Sequence, residues 1–221
     1  MQIVTTNCSR YHHAEFVLEA KHDYLQQTLQ SVGTTIEQMV ASGSRFKPNQ
    51  TFQIGLSQTM VKPFDQWRLT LVEPDMVSFP IAWTSGISWT VQQLFLQSSC
   101  LGSVGLKPEL QNVVLNKSLI VCRRYAEAGF LMHRSEPSDQ NDSGWYLGCN
   151  DEGHNHDDPR NLERVSLYAA LLRQPSIGAF LTFPFESEIQ IDPQRGLRLS
   201  LHEQPIAIPP GTFLAEWFKR K

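Results

Sequence analysis

Residues 118–149 read SLIVCRRYAEAGFLMHRSEPSDQNDSGWYLGC, and this stretch decides the fold class. It holds three short apolar runs, SLIVCRR, GFLMHRS and GWYLGC; YAEA separates the first two, and EPSDQNDS, rich in Pro, Ser and Asp, the last two. Short runs rich in β-branched and aromatic residues and bounded by turn formers predict strands. Downstream come a polar loop through Asp158, a helical pattern over 165–173, and strand-like runs AFLTFPFESEIQI and LRLSLHE. The tail PIAIPPGTFLAEWFKRK places Phe213, Leu214, Trp217 and Phe218 after a Pro-rich bend, which fits an amphipathic segment closing over the core.

Upstream, residues 99–116 (SCLGSVGLKPELQNVVLN) are rich in Gly and turn residues and contain Lys107 followed by Pro108, the signature of a linker. A boundary near residue 112 follows, with one region over 1–112 and a second over 113–221. In 14–42, Leu18, Leu25, Leu29, Val32, Ile36 and Met39 recur at helical spacing. Thr34 or Thr35 could cap a second helix with Glu37 in its first turn, so the stretch is one helix or two. TFQIGLSQTMV and WRLTLVEPD then read as strands around a turn at Pro63, Phe64 and Asp65, and TSGISWTVQQLFLQSS as another helix. The expected class is α+β: two mixed lobes, each with a small, mainly antiparallel sheet and packed helices.

Composition narrows function. A net charge of -3 over 221 residues supplies no basic field for phosphates, so nucleic acid is not an expected partner, whereas a basic protein would suit it. No apolar run reaches membrane-spanning length and the start, MQIVTTNCSRYHHAEF, is not that of a secretory signal, so no membrane partner and a cytoplasmic location are expected. Cys8, Cys100, Cys122 and Cys149 form no CxxC pair and read as free thiols, with Cys122 buried for structural reasons in SLIVC.

The stretch with chemistry in it is NDEGHNHDD, residues 150–158. In an extended segment His154 and His156 point to one side and could meet an ion, with Cys149 or a carboxylate as third donor. The spacing matches no established zinc or calcium signature, so a solvated acidic loop is the preferred reading, with no metal and no cofactor expected. Ser143 in DSGW and Ser103 in GSVG do not form GxSxG, and GxxxxGK[ST], GxGxxG and HExxH are absent from the sequence. Arg123, Arg124, His133 and Arg134 flank two predicted strands and read as strand-end charges able to pair with the acidic loop or an anionic partner.

From SLIVCRR through FLMHRSEPSDQNDSGWYLGCNDEGHNHDDPRNLERVSLYAALLRQPSIGAFLTFPFE the chain resembles the immunity protein thirty-three-like family of bacterial polymorphic toxin systems. The resemblance rests on Arg123 and Arg124, Arg134, the DSGW motif at 142–145, Gly148 with Asp151 and Glu152, and the segment 167–185. Two extra residues separate the glycine from the acidic pair. The first half is similar to the region that often precedes this domain. The resemblance implies a protein that binds and blocks a cognate toxin without a catalytic step. Trp145 and Tyr146 beside Asp151, Glu152, Asp157 and Asp158 would form the partner-binding surface, because aromatic anchors with complementary charge suffice for such binding. The alternatives are a metal-dependent hydrolase built on His154 and His156, and a scaffold without a dedicated partner.

Overall fold

The structure is a computed structural model, and it describes residues 1–77, 82–126, 129–151 and 153–219. Each of its two compact units, 1–95 and 96–221, carries its own sheet, which is the expected α+β architecture. The division falls inside a helix that is continuous through it. A folding boundary near residue 112 stays a proposal.

The first unit comprises β1 (Gln2–Val4), β2 (Glu15–Glu19), α1 (Gln26–Ala41), β3 (Thr51–Ile54), β4 (Ser57–Pro63), β5 (Arg68–Pro74) and β6 (Trp83–Ser85), and then the start of α2 (Ser88–Ser103). Its strands run in the order β1-β2-β5-β4-β3, with β6 beside β5; β2 and β5 are parallel and the other pairs antiparallel. Helix α1 is single. Leu29, Val32, Ile36 and Val40 give it one buried face, and the Thr34 and Thr35 hydroxyls bond back to the Gln30 and Ser31 carbonyls instead of capping a second helix. Gly33 survives inside it because a Cβ there would sit 3.2 Å from Ile3 Cδ1, at the close approach to β1.

Leu18 does not belong to the helical face. It is buried in β2, where the run EFVLE pairs on both sides, and its spacing to Leu25 coincided with a helical period. The run TFQIGLSQTMV is two strands, folded at Gly55-Leu56 with Gly55 at φ +56, which is the place for glycine in a two-residue hairpin. The turn at Pro63, Phe64 and Asp65 forms as expected, its Asp65 carboxylate accepting from the Trp67 and Arg68 amides.

The second unit continues from α2, so residues 99–103 are helix, not linker. Next come β7 (Ser118–Cys122), β8 (Phe130–Arg134), β9 (Asp142–Cys149), β10 (Leu162–Ser166), α3 (Leu167–Arg173), β11 (Ser187–Asp192), β12 (Gly196–Leu201), β13 (Gln204–Pro205) and α4 (Phe213–Lys219). The strand order is β10-β7-β9-β8-β11-β12-β13, with β7 and β9 parallel and the rest antiparallel. Two expectations are corrected. Val165 lies in β10, and the helix starts only at Leu167, where the Ser166 hydroxyl accepts from the Ala169 amide as an N-cap. Residues 180–186 are turns whose Phe180 and Phe183 fill the core, so AFLTFPFESEIQI is a strand only in its second half. Leu119, Val121, Met132, Trp145, Leu147, Leu171 and Ile189 complete that core, and Leu214 buries the closing helix as the tail reading requires.

Candidate functional site

Strand β9 has two chemically different ends. At its start the DSGW motif satisfies itself. The Asp142 carboxylate accepts from the Ser138 amide and hydroxyl and from the Gly144 amide, and the Ser143 hydroxyl accepts from the Trp145 amide. Burial pushes the Asp142 carboxyl up, but these hydrogen bonds outweigh it and hold it below the ordinary carboxylate range. Gly144 has φ +77, and a Cβ there would lie 2.1 Å from the Ser135 carbonyl oxygen, so only glycine fits.

Trp145 is 2% exposed, and its indole N–H donates to the Leu181 carbonyl at 3.0 Å. Arg134, a strand-end charge in sequence, is fully buried. Its guanidinium lies over the Trp145 and Phe185 rings and donates to the Glu109, Gln111 and Phe183 carbonyls. Burial pulls its pKa down to about 10. DSGW and Arg134 thus lock a turn, a ring and the 109–111 segment together.

The C-terminal end of β9 is built differently. Because β7 and β9 run parallel, in register Ile120 with Tyr146 and Val121 with Leu147, Cys122 and Cys149 emerge at the same end of the sheet. The chain then turns back. The His154 amide donates to the Asp151 carbonyl, the Asp151 carboxylate accepts from the Gly153 amide, and Asn155 accepts from the Asp157 amide. These turns bring His154 and His156 over the two sulfurs. His154 Nδ1 is 3.4 Å from Cys122 Sγ and 3.3 Å from Cys149 Sγ, and His156 Nε2 is 3.4 Å from Cys149 Sγ. All four donor atoms lie within 4.8 Å of one another.

The two imidazoles converge through these turns, not through the alternation of an extended segment. Cys149 is the third donor that the spacing suggested. Cys122, 27 residues upstream, is the fourth, which sequence reasoning missed. Its signal was an apolar run ending in Cys on each of two strands, legible only if the strands are known to be parallel neighbours.

Around this cluster, burial raises the Cys149 thiol, against the pull of the Asp151 amide, and burial together with His154 lowers His156. Tyr146 meets the His156 ring edge-on at 6.2 Å, and burial pushes its phenol up to about 12. A Cβ on Gly148 would come within 3.0 Å of the Tyr146 ring.

Arg124 pairs with Asp151 at 2.5 Å, and Arg160 with Asp158 at 2.7 Å. Asp157 is exposed; Glu152 lies outside the described residues. Of the six residues expected at a partner surface, the structure therefore brings Tyr146, Asp151, Asp157 and Asp158 to one corner and puts Trp145 in the core.

A model of the Imm33-like domain matches residues 96–196, so this part of the chain is similar to that family. The match begins within α2 and ends at the start of β12, so it takes in both ends of β9. No curated protein and no solved structure matches the chain. Among the described residues, no helix is long and apolar enough to cross a membrane.

Proposed function

We infer from the Imm33-like domain that this chain acts as an immunity protein, binding a cognate bacterial toxin in the cytoplasm and neutralising it by protein–protein contact. The family match is the observation that carries this reading. The corner formed by the 149–161 loop is the proposed contact surface, with Tyr146 at its base and Asp151, Glu152, Asp157 and Asp158 supplying negative charge; Trp145 supports it from the core. Two of the aspartates are already paired with Arg124 and Arg160, which leaves Asp157 the strongest candidate for steering a basic partner. Neither nucleic acid nor membrane enters this reading, since the net charge of -3 provides no attraction for phosphates.

No catalytic step is needed. The alternative, a metal-dependent hydrolase on His154 and His156, is not favoured. A hydrolytic zinc keeps one coordination position open for water, whereas here two sulfurs join the two imidazoles and supply four protein donors.

The test is co-expression with the toxin encoded beside the gene. The wild-type chain is expected to restore growth, and a variant with Asp151, Glu152, Asp157 and Asp158 changed to their amides to restore it poorly while keeping its circular dichroism spectrum. Full rescue by the amide variant moves the contact surface elsewhere. Failure of the wild-type chain to bind or rescue contradicts the immunity reading.

A further inference from the structure

The geometry points to a structural zinc site formed by Cys122, Cys149, His154 and His156, which fastens the 149–156 loop to the ends of β7 and β9. Two thiolates and two imidazoles suit Zn²⁺ in hardness and number, and the two thiolates neutralise its charge. With Zn–S near 2.3 Å and Zn–N near 2.0 Å, a tetrahedral ion holds sulfur and nitrogen about 3.5 Å apart. Three of the four Cys–His separations are 3.3, 3.4 and 3.4 Å, and the fourth lies within 4.8 Å.

Thiol–imidazole hydrogen bonds do not account for this pattern. A neutral imidazole nitrogen has one lone pair and accepts one proton. Yet His154 Nδ1 stands at nearly equal distance from two sulfurs, and Cys149 Sγ at nearly equal distance from two imidazole nitrogens. A common centre explains all three contacts.

The surroundings fit as well. The Arg124 amide donates to Cys122 Sγ at 3.3 Å, the kind of N–H···S contact that steadies a metal-bound thiolate. Both cysteines are buried and both histidines half-buried, so the donors are shielded from bulk water. Four protein ligands complete the tetrahedron, which makes the ion a staple and not a reaction centre. The site stands on its own geometry and does not depend on the immunity reading.

The test uses the full chain, purified under reducing conditions without a histidine tag. Elemental analysis is expected to find about one zinc per chain. Cobalt substitution should give the visible absorption of a tetrahedral ion with a thiolate charge-transfer band. Cys122→Ser and His154→Ala are each expected to weaken zinc binding by about 100-fold or more in competition with a chromophoric chelator. His156→Cys separates ligand loss from misfolding: it should keep the ion and strengthen the charge-transfer band, because a third thiolate replaces an imidazole. The proposal is overturned by a reduced wild-type chain that takes up no zinc, by binding that Cys122→Ser leaves unchanged, or by a Cys122–Cys149 disulfide whose reduction does not create a zinc site.

Discussion

The two ends of β9 lie within one eight-residue strand and are stabilised in opposite ways. At the start, Asp142, Ser143, Gly144 and Trp145 spend their polar groups on one another and on nearby backbone, and the side chain with most surface is sunk into the core. At the end, Cys149 and its neighbours converge four soft donors on one point and surround it with exposed aspartates. The difference separates two meanings that a motif can have. DSGW is held by its own hydrogen bonds and by the close approach of Gly144 to the backbone, whereas the Cys and His residues are those of the proposed zinc site.

The largest effect belongs to the self-sufficient end. Gly144→Ala must place a Cβ against the Ser135 carbonyl and hold alanine at φ +77, and it is expected to cost about 3 kcal/mol in urea unfolding. A cost near zero would mean that the turn yields easily and that the contrast between the ends is false.

A smaller effect concerns acid. The folded chain holds the Asp142 carboxyl below its ordinary value of 3.8, so the unfolded chain takes up this proton first. The stability it contributes is complete above the unfolded pKa and is lost as pH falls through the lower, folded one. Asp142→Asn should therefore be less stable than wild type at neutral pH, with the gap narrowing below about pH 4. Unfolding followed between about pH 6 and pH 2 checks this, and a gap independent of pH would remove the carboxylate's role.

Much of the architecture could be read from residues alone, where local chemistry sets local structure. The runs at 118–124, 129–135 and 144–149 contain β7, β8 and most of β9, and Ile36 and Val32 mark the buried face of α1. What failed was whatever depended on pairing over distance. Leu18 fell at a helical interval from Leu25, yet β2 is held by strands on both sides. Gly55 hid a hairpin inside an apparently single run. Trp145, expected at a partner surface, is in the core; nothing in its neighbours announces that Leu181 will accept its indole proton. The site was half legible: His154, His156 and Cys149 are close in sequence, but Cys122 joins them only through the parallel pairing of β7 with β9, which no local pattern encodes.

The most direct test of the contrast is hydrogen exchange along the full chain, read by mass spectrometry, with zinc supplied and after chelation. The account predicts that stripping the ion exposes amides over 149–161 while those over 135–145 keep their protection, since DSGW needs nothing beyond the chain. Identical exchange in both conditions, or loss of protection at both ends together, would contradict it.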